Sequence, residues 1–298
     1  MIKGSLVALV TPFLEDGSVN FDKLGELIEY HISNKTDGIV VLGTTGEAST
    51  ISFEEQIEVV KYSVKKVNKR VHLMVGAGSN DTLKSCHLAE TFSKLGADSL
   101  LVITPYYNKT NTSGLIKHFE AIAQASTCGI VVYNVPGRTG MNIPVDVVEK
   151  LSKNEKILGI KEASGDMSYA MKISKYLSDD FVMLSGNDDL IVPMMSIGGS
   201  GVISVLANIC PVDVHNICQL CLDSNYKEAQ KLALRTLNLG HSLFYETNPI
   251  PIKEAMNYLG FNVGGLHLPL DNMSADKYNL MVKEIEAAKE AINLWKLL

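Results

Sequence analysis

The chain contains 298 residues, of which 46% are hydrophobic and 20% are charged, so it has ample material for a large core. Its formal net charge is −6 at pH 7. Binding to nucleic acid or to an anionic membrane depends on clustered Lys and Arg, so this balance argues against both partners. We expect a small molecule as the partner instead.

The N-terminal apolar stretch, residues 6–10, is too short to span a membrane, and Thr11 and Pro12 end it. It also lacks the pattern of a signal peptide. We therefore expect a cytoplasmic protein with no membrane span.

Eight short runs rich in Val, Ile and Leu recur along the chain. They lie at residues 6–10, 38–42, 71–75, 99–103, 129–132, 157–160, 181–184 and 201–205. The gaps between them are roughly twenty to thirty residues long, which leaves room for the helix that a parallel crossover needs. Near-continuous apolar runs are typical of parallel strands that are covered on both faces.

The segments between these runs carry helix signals. Ser52 and Glu55 form a capping box, and apolar residues follow at spacings of three and four. Pro144 and Pro211 stand where a proline suits the first turn of a helix. Eight strand and helix units predict an α/β protein built as a closed (β/α)8 TIM barrel. The alternative is an open doubly wound sheet, but that fold more often has a GxGxxG turn after its first strand.

The barrel units account for residues 1–223, and the remaining residues, 224–298, have helical patterns throughout. No low-complexity linker separates the two parts. We therefore predict a barrel over residues 1–223 and a C-terminal helical appendage over residues 224–298, packed on the barrel or on a neighbouring subunit.

The five cysteines, Cys86, Cys128, Cys210, Cys218 and Cys221, are odd in number and scattered, which argues against a disulfide framework. Cys218 and Cys221 form a CxxC, but no second CxxC and no pair of histidines lies near it. The seven histidines include no HExxH or HxH arrangement. We expect no metal.

Active sites of such barrels lie at the carboxyl ends of the strands, and the sixth run ends in Lys161. An ammonium buried without a partner is costly, so a lysine in this place tends to lose its proton and become a nucleophile. The alternative is a lysine that has left the strand and reaches water or pairs with Glu162. Tyr133 ends the neighbouring fifth run, so both side chains are predicted to point into one mouth.

Other strand ends are also rich in polar side chains. The turn at residues 43–47 offers backbone N–H groups and two hydroxyls, which suit a carboxylate, although it is also a plausible tight turn. Arg138 is able to clamp a second carboxylate or to lie on the surface, and Tyr106 and Tyr107 suit a site or an interface. The glycines at residues 186–189 and 198–201 are a weak phosphate signal and more simply make room for substrate.

Three motifs carry a resemblance to a known family, and it extends over essentially the whole chain. They are residues 43–47 (GTTGE), 133–139 (YNVPGRT) and 159–163 (GIKEA). These motifs are similar to the signatures of the dihydrodipicolinate synthase family. The wider superfamily includes N-acetylneuraminate lyase and 2-keto-3-deoxy sugar acid aldolases, but Arg138 and the pair Thr44 and Thr45 favour the synthases.

The resemblance implies a lyase that condenses pyruvate with L-aspartate-4-semialdehyde in lysine biosynthesis, through an imine on Lys161 that takes the place of a cofactor. It also implies a homo-oligomer, a dimer of dimers in which one catalytic tyrosine crosses an interface. The implied catalytic residues are Lys161, Tyr133, Thr44 and Tyr107, the last from an adjacent subunit. The implied substrate-binding residues are Thr45, Ile203, Arg138 and Gly186.

Many members of the family are inhibited by lysine in a cleft between subunits. The matching residues here are Ala48, Ser49, Phe53, Gln56, Asn80, Lys84 and Tyr106. Lysine-sensitive members usually carry an acidic side chain at the position of Lys84. Because a cation there repels the ammonium of the ligand, we expect weak or absent inhibition by lysine.

Two alternatives stay open at this point. One is another Schiff-base aldolase that cleaves N-acetylneuraminate or a 2-keto-3-deoxy acid. The other is a non-catalytic homologue that binds a keto acid. Whether Asn187 and Asn248 contact substrate is also open.

Overall fold

The computed structural model of the protein describes residues 2–289. Eight parallel strands pair in sequence order, and the last pairs with the first to close a barrel. The strands are β1 (Gly4–Ala8), β2 (Gly38–Val41), β3 (His72–Gly76), β4 (Ser99–Ile103), β5 (Gly129–Asn134), β6 (Ile157–Glu162), β7 (Val182–Ser185) and β8 (Gly201–Ser204). The predicted closed barrel is confirmed, and every strand lies within two residues of its predicted bounds.

Helices follow the strands and continue into the C-terminal region. They are α1 (Phe21–Ser33), α2 (Phe53–Val67), α3 (Thr82–Lys94), α4 (Thr112–Ala125), α5 (Pro136–Thr139), α6 (Val145–Leu151), α7 (Met167–Ser174), α8 (Ile191–Ser196), α9 (Pro211–Leu222), α10 (Tyr226–Ser242), α11 (Ile250–Tyr258) and α12 (Ala275–Ala288). Short 3-10 turns lie at Ala48–Thr50, Asp188–Leu190 and Leu206–Asn208.

The helix signals in the sequence mark real helix starts, with two differences in detail. Ser52 caps α2, and its hydroxyl accepts from the backbone N–H of Glu55 at 3.2 Å. The Glu55 carboxylate does not complete the capping box, because it accepts from the backbone N–H of Val19 at 2.9 Å instead. Pro211 occupies the first turn of α9 as predicted, whereas Pro144 lies one residue earlier, as the N-cap of α6.

Alternation along the strands divides the core into two parts. Outward side chains such as Val7 pack between the barrel and its helices. Inward side chains such as Leu6 and Ala8 fill the barrel interior. Tyr133 and Ile203 belong to this inner group, so strand geometry alone turns both of them into the barrel.

The C-terminal region packs against the barrel of the same chain, because α10 contacts α8 and α9 as well as α12. The prediction that this region is helical throughout is wrong for residues 259–274, which are irregular. Gly264 explains part of this path: its φ is 79°, and a Cβ there would lie 2.1 Å from the carbonyl oxygen of Phe13. The end of the predicted tail, residues 290–298, lies outside the described residues.

We propose to retain the division into a catalytic barrel, residues 1–223, and a helical region from residue 224 onward. The end of α9 at Leu222 supports this boundary. Among the helices of residues 2–289, none has the length and apolar character needed to cross a membrane.

Gly76 lets the end of β2 turn toward the mouth of the barrel. Leu42, directly after β2, has a φ of 55°, and a Cβ on Gly76 would lie 1.9 Å from the Leu42 carbonyl oxygen. We expect Gly76→Ala to lower the free energy of unfolding by about 2 kcal/mol or more, because a backbone atom has no rotamer with which to escape the overlap. Chemical denaturation would measure the change.

Gly137→Ala is the matched control, because in the described part of the chain no atom outside its immediate neighbours lies within 4 Å of a Cβ built there. It should leave the denaturation midpoint unchanged or raise it slightly. Equal midpoints for the two variants would contradict the structural argument.

Candidate active site

A cavity of about 560 Å³ opens at the carboxyl ends of the barrel strands. Seven of the predicted catalytic and substrate-binding residues line it: Thr44, Thr45, Tyr133, Arg138, Lys161, Gly186 and Ile203. They come from distant parts of the sequence, and the closed barrel brings them to one opening.

Lys161 lies on β6 with its side chain turned into the barrel, and only 7% of the residue is exposed. Burial lowers the pKa of its amine to about 7, the Arg138 cation acts in the same direction, and Asp188 opposes it. At neutral pH about half of these amines are therefore uncharged, against about one in 2,500 for an ordinary lysine. The uncharged form is the one in which a lysine amine acts as a nucleophile.

Glu162 does not pair with Lys161, since alternation turns it to the opposite side of β6. Its carboxylate accepts from Asn134 Nδ2 and from the backbone N–H of Ser164, both at 2.6 Å. The surface alternative for Lys161 therefore does not describe this structure.

Tyr133 is the direct neighbour of Lys161 across β5 and β6. The Lys161 amine lies 4.3 Å from the centroid of the Tyr133 ring. Burial raises the pKa of the phenol, while the Arg138 cation and the hydroxyl of Thr44 act in the opposite direction. The phenol is protonated at neutral pH and is able to donate a proton beside the amine.

The turn after β2 is held in a defined shape. The backbone N–H of Glu47 donates to the carbonyl of Thr44 at 3.1 Å, and Glu47 has a left-handed φ of 53°. The Thr11 hydroxyl donates to the carbonyl of Gly46 at 2.7 Å. These bonds fix the backbone from which Thr44 and Thr45 face the cavity.

Asn248 connects Thr45 with Arg138. Its Nδ2 donates to the Thr45 hydroxyl at 3.0 Å, and its backbone carbonyl accepts from Arg138 Nη2 at 2.7 Å. The Asn248 Oδ1 is buried and has no hydrogen-bond partner among residues 2–289. An acceptor of this kind is available to a donor on a bound ligand.

Gly186 makes room for the buried side chain of Lys161. A Cβ at this position would lie 2.5 Å from Ala163 Cβ and 3.0 Å from Lys161 Cε. The sequence offers substrate binding or space as roles for this glycine, and the geometry shows the space.

Asp188 is the residue whose importance the sequence reading misses. Its carboxylate accepts from Ser204 Oγ at 2.5 Å and from the backbone N–H groups of Val205 and Leu206 at 3.1 and 3.0 Å. It thereby fixes the chain directly after Ile203. Burial raises the pKa of this carboxyl.

A carboxylate in the cavity disfavours phosphate binding next to residues 186–189, which the sequence had raised as a weak signal. Asn187 also lines the cavity, and its backbone carbonyl accepts from Ser185 Oγ at 2.8 Å. The position of Asp188, shortly after a barrel strand, is the one signal that points to it.

Tyr107 lies outside this cavity. It follows β4, has a φ of 69° and is 92% exposed. A single chain therefore brings together three of the four predicted catalytic residues, Lys161, Tyr133 and Thr44.

A second cavity of about 480 Å³ adjoins the first and shares Thr44, Tyr133 and Arg138 with it. Most residues of the predicted lysine cleft line it: Ala48, Ser49, Phe53, Gln56, Lys84 and Tyr106. Asn80 is placed differently, and its backbone carbonyl accepts from Asn108 Nδ2 at 2.9 Å.

Cys218 and Cys221 are buried in α9, where burial raises the pKa of both thiols, that of Cys221 to about 11. Within residues 2–289, no three His, Cys, Asp or Glu side chains are grouped so as to hold a metal ion. The polar groups at the mouth of the barrel include a lysine amine, a phenol, hydroxyls, a guanidinium and a carboxylate.

A closed (β/α)8 barrel with a buried lysine amine of lowered pKa inside its mouth is typical of enzymes that form a Schiff base with a carbonyl substrate. The sequence profile of the dihydrodipicolinate synthetase family matches residues 1–288. The chain belongs to this family.

Known relatives are similar to this chain over nearly its full length. The 4-hydroxy-tetrahydrodipicolinate synthase of Clostridium perfringens strain SM101 is 50% identical over 96% of this chain and 98% of its own. The enzyme of the same name from Clostridium tetani is 51% identical over 96% of this chain and 97% of its own. The crystal structure of dihydrodipicolinate synthase from Aquifex aeolicus superposes with a TM-score of 0.94 at 40% identity, covering 98% of this chain and 99% of that one.

The low pKa of Lys161 has a measurable consequence. We expect its acylation by acetic anhydride to rise with pH around a midpoint near 7, because only the uncharged amine reacts. Asp188→Asn should move this midpoint to lower pH, because it removes the carboxylate that favours the ammonium. Peptide mass spectrometry at a series of pH values would follow Lys161.

Asp189→Asn serves as the control for Asp188→Asn, because this neighbouring acid is exposed and its charge is screened. It should leave the midpoint near the wild-type value. A wild-type midpoint above about pH 9, close to that of an ordinary lysine, would contradict the desolvation of Lys161.

Proposed function

We propose that the protein is a lyase that condenses pyruvate with L-aspartate-4-semialdehyde to give 4-hydroxy-tetrahydrodipicolinate, a step of diaminopimelate and lysine biosynthesis. The observation that carries this proposal is the buried Lys161 amine, with a pKa of about 7, beside Tyr133 in the barrel mouth. Relatives with this name are about half identical over nearly the whole chain, which supports the choice of substrates.

The reaction starts with attack of the Lys161 amine on the ketone carbon of pyruvate, which releases one water and leaves an imine. The protonated imine nitrogen withdraws electrons, so the methyl group loses a proton and becomes an enamine. The enamine carbon then attacks the aldehyde carbon of the semialdehyde. Finally, the amine of that substrate attacks the imine carbon, closes the ring and displaces Lys161.

Tyr133 transfers protons during these reaction steps. Its phenol is protonated at neutral pH and lies beside the lysine amine, so it is able to donate to the oxygen that leaves as water. Thr44 links Tyr133 to Tyr107, which reaches in from an adjacent subunit. The covalent imine takes the place of a cofactor.

The two carboxylates of the substrates bind at different places. The Thr45 hydroxyl and the backbone around Ile203 hold that of pyruvate, close to Lys161. Arg138 holds that of the semialdehyde at the rim, where the Asn248 carbonyl orients its guanidinium. Gly186 leaves room for the lysine and for the substrate attached to it.

The quaternary part of the proposal is a dimer of dimers, in which Tyr107 completes a neighbouring site. Tyr107 and Leu83 are 92% and 82% exposed, which is high for such apolar side chains. A second subunit that covers them accounts for this exposure. One solved relative, 35% identical, is described as a monomeric variant of dihydrodipicolinate synthase.

We also propose a cytoplasmic location, in keeping with a biosynthetic role.

Trapping of the imine tests the proposed chemistry. Pyruvate and sodium borohydride should add a stable adduct to Lys161, because hydride reduces the imine to a secondary amine. Lys161→Ala should abolish the adduct, and intact-protein and peptide mass spectrometry would locate it.

Lys153→Ala removes an exposed lysine and should leave the adduct unchanged. Consumption of pyruvate by the wild type should also depend on aspartate semialdehyde. An active enzyme with unlabelled Lys161 would rule out the mechanism.

Regulation by lysine gives a separate prediction. Lys84 lines the second cavity, where its charge opposes binding of a ligand ammonium. We expect lysine at sub-millimolar concentration to leave the steady-state rate unchanged, and Lys84→Glu to make the rate more sensitive to lysine.

Lys94→Glu offers a comparison on the same helix, since Lys94 is exposed and pairs with Glu90. This variant should stay insensitive. Half-inhibition of the wild type by sub-millimolar lysine would refute the role given to Lys84.

A further inference from the structure

A buried ion pair joins α11 to the turn after β2. Lys253 Nζ lies 2.8 Å from Glu47 Oε1, and both side chains are 1% exposed. The mechanism uses neither residue, although Glu47 is the last residue of the turn that carries Thr44 and Thr45.

Both charged groups of the pair make further contacts with the protein. Lys253 also donates to the carbonyl of Gly265 at 2.5 Å and lies 4.1 Å from the centroid of the Phe13 ring. The other oxygen of Glu47 accepts from the backbone N–H of His267 at 3.0 Å. The His267 ring stacks on Phe13, with centroids 3.9 Å apart.

Stability alone does not explain such a pair. Two charges lose their hydration on burial. A protein with apolar residues of similar volume in their place is often as stable or more stable. A buried pair with directed bonds does, however, select one relative position of the segments that it joins.

The segments joined here are α11 and the turn at residues 43–47. Asn248, just before α11, donates to Thr45, and Lys253, within α11, donates to Glu47. Glu47 in turn donates its backbone N–H to the carbonyl of Thr44. Two anchors, one just before α11 and one within it, therefore hold two points of the turn.

We propose that Lys253 and Glu47 are positioning residues, which hold the turn against α11 so that Thr44 and Thr45 face the cavity. Neither side chain touches the substrate. The proposal rests on the proposed function for its kinetic consequences, since Thr45 binds the pyruvate carboxylate there and Thr44 serves Tyr133.

The test replaces both charges at once. In Lys253→Met/Glu47→Leu the core keeps its approximate volume and no charge is left buried alone, so the fold should survive. Thr45 should bind the pyruvate carboxylate less well, which raises the pyruvate concentration for half-maximal borohydride trapping by about tenfold, as for loss of one hydrogen bond to a charged group. At saturating pyruvate, Lys161 should still be labelled.

Hydrogen exchange gives a readout that does not depend on any chemistry. Backbone amides of residues 43–47 should exchange faster in the double variant, whereas those of β6 should exchange at the wild-type rate. Lys61→Met/Glu58→Leu, which removes an exposed pair on α2, is the matched control and should change neither measurement.

Wild-type half-saturation and wild-type exchange in the folded double variant would overturn the positioning role. A loss of folded protein with unchanged half-saturation would also overturn it, because the pair would then be structural only. If the double variant does not fold, Lys253→Met/Glu47→Gln keeps the acceptor for His267 and is judged by the same criteria. Absence of trapping in the wild type would count against the proposed function, and the exchange comparison would still decide the role of the pair.

Discussion

Desolvation of one amine is the constraint around which the site is arranged. Keeping Lys161 charged inside the barrel would cost roughly 5 kcal/mol, a penalty that is full below about pH 7 and fades as the pH rises toward the ordinary lysine value. The fold tolerates this because the amine becomes uncharged instead. Asp188 limits the effect, Gly186 leaves space for the side chain, and Tyr133 covers it.

Much of the fold is predictable from the sequence, because local residue patterns specify its strands and helices. Continuous apolar runs with helix-length gaps define a parallel barrel, and the barrel brings all strand ends to one face. That rule alone placed Lys161 beside Tyr133, since their strands are neighbours. The irregular path of residues 259–274 is not predictable in the same way, because part of it depends on the close approach of Gly264 to Phe13, which no local pattern in that segment reveals.

The sequence could not reveal contacts between segments that lie far apart in the chain. Asn248 bonds to Thr45 across 203 residues, and Lys253 bonds to Glu47 across 206. Neither contact leaves a periodic signal. The three hydrogen bonds that Asp188 accepts likewise depend on the height at which β7 and β8 end.

The residues that line the cavity belong to two kinds of structural element, barrel strands and connecting segments. Lys161 and Tyr133 stand on adjacent barrel strands, where the backbone ladder fixes their relative height. Arg138 belongs to the short helix α5, and Asn248 to the connection before α11. Natural variation in connecting segments is tolerated far better than variation in barrel strands. In the proposed reaction, the lysine and tyrosine of the imine step therefore belong to barrel strands, whereas the arginine assigned to the second substrate belongs to a connecting segment, so preference for the second substrate is the property that mutation is expected to change most easily.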